Sequence, residues 1–593
     1  MKKYICHFAL VSISCFAVDH NVHLLDNNPE ITKTVEDLLL MMKVPGAAIG
    51  IVKDGKTVLA RGYGMRSLES NLPVTAKTIF PVGSITKPFT SFVIGQLVDK
   101  EILSWDSPLS AYIPHFRLKD PYTTYQITLR DLLTHTSGYP SHEAVWYNQT
   151  FSRSEIVRKF QFLDPIYQLR EKFYYQNLGF TLAGHAAEVA MNKSYEALVE
   201  ENILKPLGMS HSTFSLSEML KTENHTLSYD DLETPFPFIN AATITPAGGL
   251  HSNIDDLLKW AKLLLNKGEG FIDPSTFNEL IKPQVVSDLI CNGRYGLDEE
   301  ITMESYGLGW ILLSYQGHFL AMHGGNINGC SSLLLFLPND DLAIIVLSNK
   351  HISPFPFVVA STLIDNLLDL PPIDWAEKYE TIARVTQEEY ESKKKTENDE
   401  KNHQTFPSHL IDDYVGTYSN PGYGPIEITL VAGNLVAKYN HLHFPLDHWN
   451  YNVFEISRNS SFSILKGVRF TFQENSHGDI KYLTIPLEPK LPGLLFTKQA
   501  DSSLNDQSYL DKFSGKYSYL GFTILIEVIN DKLVVKAFGQ PPYELYPEKL
   551  NVFHVKNLGG YVIEFIPDDS GSIVGVKLTE PDNTTYAANK IDS

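Results

Sequence analysis

Apolar positions in "ITKTVEDLLLMMKV" (Ile31 to Val44) recur at helical spacing, and "AAIGIVKDGKTVLARGYG" then sets two apolar runs about Asp54-Gly55. The pattern predicts a helix followed by a β-hairpin turning at the Asp-Gly pair. Far downstream, "HFLAMHGG", "SSLLLFLPND" and "LAIIVLSNK" read as three more strands, with Pro338-Asn339-Asp340 at one turn, ahead of the helical pattern "FVVASTLIDNLLDL". Mostly helical segments lie between these ends. The expected fold is α/β (α+β): an antiparallel sheet built from both ends of one domain (residues 30–372), flanked by helices, with a helical subdomain inserted.

From about Trp375 to Gln404 the chain turns polar, peaking in "EEYESKKKTENDEKNHQ", where nothing apolar organises a core. Residues 375–405 read as a charged linker, or an exposed helix running into one. Beyond it a repeat appears. "LIDDYVGTYS" is echoed about a hundred residues later by "YLDKFSGKYS", "GNLVAK" by "DKLVVK", "NVFEI" by "NVFHV" and "FTFQENSHGDI" by "IEFIPDDSGSI". Each copy is strand-rich, so residues 408–500 and 507–593 are expected to be two all-β modules, or two halves of one larger β domain.

Length and composition fit this division: 593 residues exceed one ordinary core, and 43% apolar with 20% charged residues is globular usage. The net charge of -20 repels phosphate backbones and anionic lipid, which argues against nucleic acid as a partner. After the first eighteen residues no apolar run reaches the roughly 18 needed to span a bilayer, so no integral membrane span is expected. Lys2 and Lys3 precede an apolar run from Tyr4 to Val18, which reads as a signal peptide (residues 1–18) and an extracytoplasmic destination, against a disordered start or short anchor. Cys6 and Cys15 would leave with it. Cys291 and Cys330 then allow one disulfide at most, and five sequons, at Asn148, Asn192, Asn224, Asn459 and Asn583, permit glycosylation.

Ser-x-x-Lys occurs three times, at Ser84, Ser392 and Ser463. Only the first lies on a predicted helix start: Ile85, Phe89, Phe92, Val93 and Leu97 recur at helical spacing behind Gly83. Three residues apart on a helix is one face, so Lys87 can reach the Ser84 hydroxyl and, if neutral, take its proton. The plain alternative is an N-cap serine with a surface lysine. Two further motifs favour chemistry: Tyr175-Gln176-Asn177 in "YYQNLGF", and His323-Gly324-Gly325 in "AMHGGNING".

With these in place, the chain resembles the serine β-lactamase and penicillin-binding protein superfamily, on its class C side. The likeness is carried by "VPGAAIGIVKDGK", "FPVGSITKPFTS", "ITLRDLLTHTSGYP", "YYQNLGFTLAGHAAEVA", "PAGGLHSNIDDLLKWAKLLL" and "MHGGNINGCSS". It implies Ser84 as acylated nucleophile, Lys87 as its partner and Tyr175 as a proton relay; to act as base instead of Lys87, a phenol titrating near 10 must be depressed by cationic neighbours, for which Lys87 and His323 are the candidates. It also implies Asn177 holding the substrate amide, and an oxyanion hole from the backbone N–H groups of Ser84 and Asn326, beside Gly325. The β repeats resemble the lipocalin-like tails of some peptidase members.

Class C β-lactamases place Lys-Thr-Gly where this chain has His323-Gly324-Gly325, and a largely neutral histidine anchors a carboxylate less well. The resemblance therefore favours hydrolysis of a small peptide, amide or ester over β-lactam turnover. A penicillin-binding D-Ala-D-Ala carboxypeptidase and an inactive binding or assembly protein are the alternatives. His135 reads as structural or at the cleft rim, and His251 and Asp255 as parts of a turn and capped helix. His441 and His443, on a predicted strand, lack a ligand set, so neither metal nor cofactor is expected.

Overall fold

Alternate residues of strand Gly46–Lys53 face opposite ways: Ala47, Ile49 and Ile51 enter one apolar cluster, Ala48 and Val52 another. Strand Leu342–Ser348 does the same, with Ala343, Ile345 and Leu347 on one side and Leu342, Ile344 and Val346 on the other. Both strands are covered on two faces, which is why they read as unbroken apolar runs. They pair antiparallel, Ala47 opposite Ser348 and Ile51 opposite Ile344. That pairing joins the N-terminal hairpin to the C-terminal strands.

The computed structural model describes residues 25, 28–230, 233–290, 300–401, 404–457, 465, 467–476 and 478–591, without the side chains of 397–400. The candidate signal peptide, Cys291, Asn459 and the Ser463 pair lie outside the described residues. Among the described residues the sheet has nine strands, ordered Leu72–Pro73, Lys56–Ser67, Gly46–Lys53, Leu342–Ser348, Cys330–Leu337, His318–Ile327, Ile311–Tyr315, Ile301–Tyr306 and Val285–Val286. One face packs the helices Thr86–Asp99 and Ile254–Leu265; Pro29–Met41 and Phe355–Leu367 cover the other. Asn253 caps Ile254–Leu265 by accepting from Asp256 N at 2.9 Å. Cys330 is buried as a free thiol whose pKa is pushed up by burial.

Residues Trp375–Glu400 form one helix, anchored at its start by buried Trp375 and Tyr379 and exposed over most of its length. The two repeats follow as closed eight-stranded barrels, from Gly416–Asn420 to Leu494–Lys498 and from Gly515–Tyr519 to Thr585–Ile591. Their kinship extends to detail. Tyr418 donates to Tyr414 O at 2.9 Å and Tyr517 to Phe513 O at 2.8 Å, while Lys498 and Lys590 lie 5.7 and 5.8 Å over the respective rings. Barrel 1's core is continuous with the helical face of the nine-stranded sheet domain, whereas barrel 2 has a core of its own. His441 sits on a turn with positive φ and only His443 is on a strand, a correction to the expected strand for both. No group of three His, Cys, Asp or Glu among the described residues could hold a metal, and no described helix is long and apolar enough to cross a membrane.

Candidate active site

Strand Phe80–Pro81 ends in Val82, and Gly83, at φ +53°, turns the chain into the 3-10 turn Gly83–Ile85 and the helix Thr86–Asp99. A side chain at Gly83 would place Cβ 3.0 Å from Asn326 N, and one at Gly325 only 2.0 Å from Val82 O. These glycines let strand His318–Ile327 lie against the serine turn, putting the backbones of Ser84 and Asn326 side by side. Thr86 Oγ1 locks the turn, donating to Gly83 O at 2.7 Å and accepting from Leu250 N at 3.1 Å.

Lys87 is fully buried one turn beyond Ser84. Its Nζ lies 2.9 Å from Ser84 Oγ, 2.7 Å from Asn177 Oδ1 and 2.9 Å from Ala247 O. Burial holds its pKa well below the ordinary lysine value, with Glu143 pulling weakly the other way. The geometry suits the neutral amine. Ala247 O only accepts, and Asn177 is oriented by donating Nδ2 to Glu143 Oε1 at 3.0 Å, so its Oδ1 accepts too. Two N–H groups serve these oxygens, and the lone pair is left for the Ser84 hydroxyl. Tyr175 completes the set by donating to Ser84 Oγ at 2.9 Å.

Burial raises the Tyr175 phenol above its ordinary value, chiefly by desolvation. This reverses the expectation of a phenol depressed by cationic neighbours: desolvation outweighs them, burial holds the Lys87 pKa well below the ordinary lysine value, and burial drives His323 down to about 3. A direct substrate contact for His323 is corrected as well. Its ring is 2% exposed, with Nδ1 donating to Gly324 O at 2.7 Å and Nε2 3.1 Å from the Tyr306 hydroxyl. His135, expected as structural or at the rim, is fully buried behind Tyr175, ring centroids 4.5 Å apart. Its Nδ1 accepts from Gln176 N at 3.2 Å, so Nε2–H faces the Tyr306 oxygen at 3.3 Å and the Tyr306 proton points to His323. The two backbone partners thus fix both tautomers of a neutral His135–Tyr306–His323 chain.

Ser84, Asn177 and Asn326 line a cleft of about 380 Å³ with Glu143, Trp146, Tyr147, Ile239, Ile244, Ile327 and Ile352. Among the described residues the lining includes His351 but neither lysine nor arginine. Glu143, Tyr306 and Ala247 escape a reading of the sequence, because "PSHEAVW", "ESYGLGW" and "TPAGGL" carry no spacing that ties them to Ser84. His251 and Asp255 lie elsewhere, His251 against Thr213 and Asp255 in the first turn of its helix.

Burial pushes Glu143 up from 4.5 to about 7, against the opposing Asn177 hydrogen bond and Lys87. Between those two pH values the folded state keeps a proton that the unfolded chain has released, so this group's contribution to stability falls as pH rises through the window. Glu143→Gln, a neutral isostere, should therefore raise Tm at pH 8 by about 2 °C, an advantage shrinking at pH 5. Thermal melts of both proteins at the two pH values check this.

A buried Ser-x-x-Lys pair, completed by a tyrosine and set beside the edge of a helix-flanked antiparallel sheet, defines the serine β-lactamase and penicillin-binding protein superfamily. Within it, residues 31–369 match the Beta-lactamase family model, and the chain belongs to that family. It is a serine hydrolase. Residues 400–498 match a domain of unknown function, DUF3471. An unguisins hydrolase of Aspergillus campestris is 28% identical over 426 residues, 67% of this chain and 77% of that protein. Protein flp of Staphylococcus aureus strain N315 is 27% identical over 341 residues, 56% and 65% of the two chains. The octameric penicillin-binding protein homologue from Pyrococcus abyssi shares the fold: TM-score 0.53 at 23% identity, covering 79% of this chain and 100% of that one.

Proposed function

We propose that this protein cleaves a peptide, amide or ester bond through an acyl-Ser84 intermediate. One observation carries the reading: the Ser84 hydroxyl lies between Lys87 Nζ and the Tyr175 hydroxyl, 2.9 Å from each. Neutral Lys87 takes the serine proton as Oγ attacks the carbonyl carbon, and the backbone N–H groups of Ser84 and Asn326 receive the oxyanion. Tyr175 gives its proton to the leaving group, and the proton that Lys87 took from Ser84 then passes to the Tyr175 phenolate. Water then enters, loses a proton to the same pair and attacks the acyl carbon; the C–Oγ bond breaks, the acid leaves and the proton returns to Ser84 Oγ. The hydrolase names of two fungal relatives support this chemistry.

The cleft lining argues for the substrate's charge. Among the described residues the lining holds neither lysine nor arginine, and with Glu143 beside Asn177 these residues present no cation to a free carboxylate next to the scissile bond. A neutral or amine-bearing acyl group fits better than a β-lactam or a D-Ala-D-Ala terminus. Intact-mass spectrometry after incubation with a fluorophosphonate, then with benzylpenicillin, tests the reading. The expected result is a stable phosphonyl adduct mapping to Ser84 and no lasting penicilloyl adduct. A lasting penicilloyl-Ser84 would replace this reading with a penicillin-binding one, and absence of both adducts on folded protein would overturn acyl-serine chemistry. Export through the N-terminal apolar run is part of the proposal, tested by N-terminal sequencing of the secreted protein.

A further inference from the structure

The helix Glu143–Trp146 is four residues long, and its N-cap, His142, stands at φ +46° without a side-chain cap bond. So short a helix does not hold itself in water, since nucleation outweighs so few hydrogen bonds. Yet residues 143, 146 and 147 form one wall of the cleft, and Glu143 orients Asn177, which takes a Lys87 N–H. Something outside the helix must fix it.

The contacts come from barrel 1. Asn440, on the turn between strands Asn434–Tyr439 and Leu442–Asn450, donates Nδ2 to Ala144 O at 2.7 Å and Tyr147 O at 2.9 Å, and its side chain also meets Gln149. The neighbouring Tyr439 hydroxyl donates to Ala144 O at 2.7 Å, and Asn148 Nδ2 donates to Asn440 O at 3.0 Å. On the other flank Glu488 accepts from His142 N at 2.9 Å and Ser141 Oγ at 3.1 Å. His142 Nε2 faces the Asp164 carbonyl at 3.1 Å, leaving Nδ1 to accept from the Tyr423 hydroxyl at 2.6 Å. His142, Tyr423, Tyr439, Asn440 and Glu488 are all buried.

The repeat supplies an internal control. Where barrel 1 reads "LVAKYNHL", barrel 2 reads "LVVKAFGQ", with Ala537 and Phe538 in place of Tyr439 and Asn440. Phe538 is 86% exposed. A barrel of this type therefore closes without the Tyr-Asn pair, which in barrel 1 serves the contact.

We infer that barrel 1 is a working part of the cleft, with Tyr439 and Asn440 as positioning residues that set the acyl-side wall through residues 141–149. The inference rests on the hydrolase reading for its substrate consequence, not for its geometry. It also places the sequon asparagine Asn148 inside the contact, where a glycan would break its bond to Asn440.

The test uses the full chain with Asn440→Gly, which keeps the left-handed backbone (φ +51°) and removes only the amide, and Tyr439→Phe, which removes one hydroxyl. Two quantities are read: hydrogen exchange of the amides in residues 141–149, and the kcat/KM ratio for a bulky-acyl over an acetyl p-nitrophenyl ester. Exchange should speed up and the ratio fall, each by about tenfold in Asn440→Gly and less in Tyr439→Phe. If Asn440→Gly does not fold, Tyr439→Phe decides alone. Faster exchange with an unchanged ratio overturns the positioning role, and unchanged exchange overturns the inference altogether. A wild type that no ester acylates defeats the hydrolase reading instead, and exchange by itself then decides whether barrel 1 fixes the wall.

Discussion

Lys87→Met should lower kcat/KM by about 10⁴-fold, the upper range for a positioned general base, because it removes the lone pair facing the Ser84 proton. The methionine keeps the length of the side chain in a fully buried slot, so loss of activity without loss of the near-ultraviolet circular dichroism is the expected pair of results. Asn177 Oδ1 and Ala247 O would each lose a donor, costing about 1–3 kcal/mol apiece where no water replaces it, while the apolar replacement avoids burying an amine. Steady-state kinetics on an ester, with titration of active sites by fluorophosphonate, separates a slow enzyme from a small active fraction. Activity within about tenfold of wild type would assign the base elsewhere.

Tyr175→Phe should act more selectively. The phenol is raised by burial, so in the resting site it is a proton donor, and its proton is needed where the leaving group is poor. Amide hydrolysis should fall by about 10²–10³-fold, whereas the first turnover of a p-nitrophenyl ester, whose leaving group departs as a stable anion, should fall far less. Stopped-flow measurement of the ester burst beside steady-state amide hydrolysis reads both. Equal losses on the two substrates would make Tyr175 a base in acylation and not an acid.

Much of this was legible because it is local. The Asp54-Gly55 hairpin, the strands flanking His323 and the Ser84–Lys87 face depend on residues within a few positions of one another, and the duplication of the β modules shows as short motifs repeated about a hundred residues apart. Closure of each module into its own barrel depends on pairing first with last strand, Tyr418 with Lys498 and Tyr517 with Lys590, and no local pattern reports that. Glu143 reaches Asn177 across 34 positions and Tyr306 reaches His323 across two intervening strand pairings, so neither announces itself. The reversed expectation for Tyr175 has a related cause. Residue types alone suggested two cations beside it, and only burial shows that desolvation lowers the pKa of both neighbours while raising that of the phenol.

The two barrels share a fold and differ in obligation. Because the Tyr439-Asn440 turn is tied to the cleft wall, a substitution in this copy reaches the substrate as well as the barrel. The corresponding end of the second copy presents Leu520, Phe522 and Phe538 to solvent, at 81%, 59% and 86% exposure. One turn of the repeated module is thus committed to the cleft wall, while the same turn in its twin stands open to solvent.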